Sequence, residues 1–146
     1  MTTLRIVLVA LVHPDGAVLL RMRDEQSVTR SNRWSLPGGA VETGEDPRDA
    51  GRRLVAAQTG ITVEAELIGI WNGFLPGVPA EVYFYAVPST ATVVVNPADF
   101  TSEFVPGADL QSGRTFTPAT GYVLARFADK PRYQSLLRRP DADDLA

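Results

Sequence analysis

At 146 residues, 45% of them hydrophobic, the chain is long enough to bury one sizeable core. A formal net charge of -3 excludes the broad basic surface that nucleic acid polymers or anionic membranes would require. With no cysteine, disulfides, a thiolate nucleophile and a cysteine-based zinc site are excluded, and the single histidine, His13, excludes a histidine cluster.

The apolar run Leu4 to Val12 stops at Pro14 and Asp15, lacks a small-residue cleavage pattern and is too short to cross a bilayer. It is therefore expected to be a strand of a soluble, cytoplasmic protein. Ala17 to Arg23 completes a hairpin through His13-Pro14-Asp15-Gly16, in which His13 reads as a structural turn residue. From Asp24 to Arg33 the chain is polar and loop-like, before Trp34 and Leu36 lead into Pro37-Gly38-Gly39. The two glycines permit positive φ and a close backbone approach to a ligand. Asp46 is suited to cap a helix and Pro47 to its first turn; Ala50, Leu54, Ala57 and Ile61 recur at helical steps, and Gly60 terminates the helix, predicted over 47–59.

Glu64 to Trp71 and Glu81 to Val87 read as strands joined by Phe74 to Ala80, and Thr92 to Val95 as a short β-branched run. Asn96 to Leu110 reads as a loop. Thr117-Pro118 starts a last helix with Tyr122, Val123 and Phe127 on one side; Pro131 ends it, Leu136 to Arg139 forms a final turn, and the acidic tail at 141–146 frays. This order implies one domain, 1–146, of the α/β (α+β) class: a mixed sheet flanked by helices.

Within Leu36 to Ile61, six residues fall in a spaced pattern: Gly39, Glu45, Arg53, Val55, Gly60 and Ile61, introduced by Arg33-Trp34-Ser35-Leu36-Pro37-Gly38-Gly39. The pattern resembles the box of the Nudix family of diphosphate hydrolases: Gly, five residues, Glu, seven residues, then Arg-Glu-apolar-any-Glu-Glu-any-Gly-apolar. The box covers 39–61, and the element order extends the resemblance over most of the chain. The resemblance implies a MutT-like fold and a pyrophosphohydrolase acting on a nucleoside diphosphate linked to another group, with Arg53 and Gly60 maintaining the shape of the box.

The departures fall on charged positions. Leu54 stands where the family has Glu after the Arg, and Ala57 and Gln58 stand where it has the Glu pair. In the family those carboxylates hold the divalent ions and the first can act as base. Mg²⁺ requires hard oxygen ligands, which Leu54 and Ala57 lack and Gln58 supplies only as a neutral carbonyl. Loss of one well-placed stabilising group costs about 3 kcal/mol of barrier, so weak, altered or absent activity is expected. The acids left to act as catalytic groups and metal ligands are Glu42 and Glu45, together with a carbonyl near Gly38 or Gly39. Glu103 is a third metal candidate because Phe100 stands where the family often has an acid, and Asp99 is a fourth. Glu45 is equally placed to pair with Arg53, as is Asp49, four residues before it.

Guanidinium groups match phosphate oxygens bidentately, so Arg23 and Arg33, from the cluster Arg21, Arg23, Arg30 and Arg33, join Gly38 and Gly39 as candidate substrate-binding residues. Trp34 and Trp71 suit either a base or the core, with Phe74 and Tyr83 as weaker aromatic candidates. Three functions fit: a hydrolase using Mg²⁺ or Mn²⁺, a nucleotide or sugar-nucleotide binding module with no cofactor, and an enzyme of another class built on a more apolar pocket. The expected partner is a small phosphorylated molecule, not a nucleic acid polymer or a membrane, and a homodimer is a common state of the fold.

Overall fold

The computed structural model describes residues 4–23, 33–92, 94–97, 100–106, 109–110 and 114–127. The expected loop at 24–32, with Arg30, and the expectations for Asp99, Pro131, Leu136 to Arg139 and the acidic tail lie outside the described residues, as does the Arg23 side chain.

The centre of the sheet is β1 (Arg5–Val12), an unbroken apolar run because it is covered on both faces. Its even positions, Leu8, Ala10 and Val12, pack towards the C-terminal helix with Leu20, Phe84, Val123 and Phe127. Its odd positions, Val7, Val9 and Leu11, pack towards the first helix with Leu19, Ala50, Val55 and Leu67. Burying each such side chain fully contributes about 1.5–3 kcal/mol, which makes this strand the main anchor of the fold.

β1 pairs in parallel with β6 (Glu81–Pro88) along its whole length, and β6 pairs with the edge strand β5 (Ile68–Phe74). On its other side β1 divides its pairing. Its C-terminal end meets β2 (Val18–Arg23) at Val12 and Val18, while its N-terminal half meets β4 (Gly38–Ala40). Beyond β2 lie β3 (Arg33–Ser35) and β7 (Phe100–Val105), and β3 carries the short β8 (Thr115–Phe116). Among the described residues this makes one eight-stranded mixed sheet, with α1 (Pro47–Thr59) and α2 (Pro118–Phe127) packed against it. The hairpin, both helices and the mixed sheet are as the sequence leads one to expect.

Helix α1 begins as predicted: the Asp46 side chain accepts from the Arg48 N–H at 2.8 Å and Pro47 occupies the first turn. It ends at Gly60, whose φ of 73° is left-handed and whose N–H donates to the Ala56 carbonyl. Within the helix Ala50, Gly51, Val55 and Thr59 are buried; of the four residues that recur at helical steps in the sequence, Ala50 and Ile61 are buried, Leu54 is half-buried against the same cluster and Ala57 is exposed.

Three strand expectations change. The strand expected from Glu64 starts only at Ile68 and runs on to Phe74, because Glu64 and Glu66 are exposed while Leu67 plugs the core beneath α1. Thr92 to Val95 adds no strand among its described residues; the Val95 N–H instead donates to the Thr59 carbonyl at the end of α1. The expected loop at Asn96 to Leu110 contains β7, paired with β2 from Arg23–Phe100 to Val18–Val105. No helix among the described residues is long and apolar enough to cross a membrane.

Candidate functional site

The glycine pair sits where β1 changes partners. A Cβ on Gly38 would lie 2.0 Å from the Val7 carbonyl oxygen, so the close approach that demands glycine here is to β1. Gly39 has no comparable conflict; a Cβ there would rest 3.6 Å from the Leu54 methyls.

The loop from Val41 into α1 is held by charge. Arg53 donates from Nε and Nη2 to the two Glu45 carboxylate oxygens at 3.0 Å each, and from Nη2 to the Ala40 carbonyl. The Glu42 N–H donates to Glu45 Oε1, the Glu45 N–H returns a bond to the Glu42 carbonyl, and Arg5 Nη2 donates to the carbonyls of Glu42 and Glu45. Hydrogen bonding from Arg53, then from the Glu42 backbone, lowers the Glu45 pKa from its ordinary value. Glu45 and Arg53 therefore form the pair foreseen in the sequence, whereas Asp49 pairs with Arg52 at 3.7 Å. The contribution of Arg5 is invisible in the sequence, because only the β1–β4 register brings it to this loop.

Further along α1 the contacts change character. Gln58 donates from Nε2 to the Gly38 carbonyl at 2.9 Å and accepts the Gly38 N–H on Oε1 at 3.0 Å. This two-point pairing engages both backbone polar groups of Gly38 with a neutral carboxamide. Leu54 faces Gly39 and Ala57 is exposed.

Among the described residues this donor set does not form a preassembled site for a divalent cation. The Gly38 carbonyl is already an acceptor for Gln58, Leu54 and Ala57 have no oxygen to offer, and Glu45 is doubly bonded to Arg53. Glu42 is exposed, and Glu103 pairs with Arg114 at 2.9 Å. Among the described residues no three acidic, histidine or cysteine side chains converge as a metal-binding group.

Beside the glycines a cleft of about 480 Å³ opens between the N-terminal half of β1, the Gly77–Pro79 turn and the start of α2. Ile6, Leu8, Leu36 and Val78 give it an apolar floor, and Arg33, Ser35, Gly38, Gly39 and Thr117 contribute polar groups. Three of the candidate substrate residues, Arg33, Gly38 and Gly39, thus line one cavity; β2 carries the Arg23 backbone. Thr120 reinforces the wall by accepting the Leu36 N–H on its hydroxyl.

The aromatic candidates divide. Trp34 packs on the α2 side of the sheet beneath the Arg114 guanidinium, and Trp71 packs against Tyr122. Phe74 is 64% exposed on the edge strand, and Tyr83 donates to Glu81. His13 sits in its turn 3.4 Å from Asp15 and edge-on to Phe104, matching the structural reading. Arg114, which links Glu103 to Trp34, has no signature in the sequence because both partners are distant along the chain.

Comparison with known proteins follows the same lines. The model of the NUDIX domain family matches residues 2–132. An RNA pyrophosphohydrolase of Caulobacter vibrioides is 42% identical over 67 residues, 46% of this chain; the match spans 37% of that relative's length. Among solved structures, the MutT protein from Methanosarcina mazei Go1 superposes with a TM-score of 0.66 at 24% identity, covering 87% of this chain and 96% of that one. A MutT protein from Bacillus halodurans gives 0.62 at 21% identity, covering 87% and 83%. These structures share the fold.

Proposed function

The chain belongs to the Nudix family, and we propose that it binds a small nucleotide-type phosphorylated ligand in the cleft beside Gly38 and Gly39, with divalent-metal-dependent hydrolysis weak or absent. The observation that carries this reading is the Gln58 carboxamide closed on both polar groups of Gly38. Nudix hydrolases generally use Mg²⁺ or Mn²⁺, and a carboxylate at this position would leave the Gly38 carbonyl free for a cation. The carboxamide donates to that carbonyl itself, so the loop closes without an ion. The apolar floor suits a base or another flat apolar moiety, and Arg33 at the rim suits an anion.

Calorimetric titration with a methylene-bridged nucleoside diphosphate tests the reading, in EDTA and with excess Mg²⁺ or Mn²⁺. Binding indifferent to metal, without turnover of the cleavable parent compound, is the expected outcome. Affinity that appears only with metal would overturn it.

A second reading is favoured by the exposed Glu42 and by the name of the Caulobacter relative. In it the ligand's own phosphates help Glu42 and Glu45 to hold one Mg²⁺, and the substrate is a nucleoside diphosphate derivative or an RNA 5′ end. Turnover of either, lost in Glu42→Gln or Glu45→Gln, would select this reading; turnover unchanged in both variants would reject these ligands. Light scattering tests the homodimer, and fractionation of cells the cytoplasmic location, that complete the proposal.

A further inference from the structure

A second cavity, of about 190 Å³, lies between β5 and the second half of α2 and shares no lining residue with the cleft beside Gly38. Its floor is Val123 with Phe84 and Phe127, two fully buried rings set edge to face at 5.2 Å. Its walls are Trp71 and Tyr122, half-buried, with ring centres 6.0 Å apart. At the rim stands the exposed Arg126, whose guanidinium carbon lies 3.7 Å from the centre of the Tyr122 ring one turn earlier on α2.

The position of the indole is built into its strand. Trp71 and Gly73 pair with Phe84 and Val82, so both lie on the α2 side of β5. A Cβ on Gly73 would come within 2.8 Å of the Trp71 ring. The indole therefore occupies the space of the missing side chain and lies along its own strand as one side of the cavity.

Size and charge select the occupant. An apolar cavity of about 150 Å³ holds one benzene ring, and pockets for drug-sized ligands start at about 300 Å³. This cavity accordingly takes a single ring with one small substituent and is too small for a nucleotide. Aromatic walls favour a flat partner in an offset or edge-on arrangement. Arg126 disfavours a cationic substituent and offers a carboxylate two parallel N–H donors, and its contact with Tyr122 holds the guanidinium at the rim before a ligand arrives.

We propose that this cavity is a second ligand site and that it takes a small aromatic carboxylate, with the ring against Trp71 and Tyr122 and the carboxylate on Arg126. The site is independent of what the cleft beside Gly38 binds.

The test titrates the whole chain with para-fluorobenzoate, para-fluorobenzamide and para-fluorobenzylamine, which share the ring and differ chiefly in charge, and follows the ligand by fluorine NMR. The expected order of affinity is carboxylate, amide, amine, with the carboxylate about fivefold tighter than the amide, as suits one cation at an exposed rim. Arg126→Gln should remove that difference and leave amide binding as in the wild type. Gly73→Ala, whose methyl displaces the indole, should weaken carboxylate and amide alike; unchanged binding in the folded variant would overturn the proposal, and if it does not fold, Arg126→Gln decides. No binding of para-fluorobenzoate, the same preference for it in Arg126→Gln, or tighter binding of the amine would each overturn the proposal. So would displacement of para-fluorobenzoate by the methylene-bridged nucleoside diphosphate, which would put the acid in the cleft; retention in its presence is the expected result.

Discussion

The two halves of α1 are held to the same glycine-bearing strand by different physics. At the N-terminal end the contacts are ionic and built around the loop: Glu45 takes two bonds from Arg53, and Arg5 braces the carbonyls of Glu42 and Glu45. At the C-terminal end they are neutral: Gln58 closes on Gly38 and Leu54 faces Gly39. In the first half the charges brace the loop that leads into the helix. In the second half neutral side chains meet the glycines directly, Gln58 at the backbone of Gly38 and Leu54 opposite Gly39.

The contrast can be broken most severely at Gly38. Gly38→Ala drives a methyl into the Val7 carbonyl, and an expected loss of about 3 kcal/mol or more should appear as a large fall in Tm or as insoluble protein. A wild-type melting curve would show that the β1–β4 approach is looser than described.

Gln58→Ala should cost about 1–3 kcal/mol, since two backbone groups lose their partner. Gln58→Glu sharpens the point. Its carboxylate can accept the Gly38 N–H but repels the carbonyl, so the variant should be less stable than wild type at neutral pH and recover in acid, once a protonated carboxyl can donate again. Equal stability across the pH range in denaturant melts would refute the two-point pairing.

At the opposite end of the helix, Asp46→Ala removes the cap that accepts the Arg48 N–H and should cost about 1 kcal/mol, read as a shift in the urea midpoint with an unchanged slope.

The smallest effect is expected from Glu45→Gln, because exposed ion pairs contribute little. Its pH dependence is nevertheless diagnostic. The Glu45 pKa is lower in the folded than in the unfolded chain, so its contribution is complete above the unfolded value and disappears as pH falls through the folded value. The difference in Tm between wild type and Glu45→Gln should be largest near neutrality and close in acid; a constant difference would assign the effect to something other than the Arg53 pair.

Helix α1 and its caps were legible because they depend on neighbours in sequence: Asp46, Pro47 and Gly60 each act within one turn. The hairpin was legible for the same reason, through local turn chemistry and an unbroken apolar run, whereas the burial of β1 on both faces emerged from the structure. By contrast, β7 was hidden between Asn96-Pro97 and Pro106, in a segment whose polar residues favour a loop until the free edge of β2 offers it hydrogen bonds. Val95 likewise looked like part of a strand, and only the open carbonyl at the end of α1 gave its N–H another partner. Of the candidate site, the Glu45–Arg53 pair followed from spacing, while Glu103 could not be placed until its pairing with Arg114 was visible.

The amino-acid sequence alone determined the loop–helix–loop frame, the charge-poor second half of the helix and the mixed sheet, because spacing, caps and apolar periodicity act over a few residues. Only the tertiary structure decided that the Gly38 close approach is made to β1, that Gln58 satisfies both of that glycine's backbone groups, and that Arg21 is a buried cation between two serines. Those three facts depend on strand register and on the way β1 divides its pairing, which bring together residues whose separation along the chain carries no local signal.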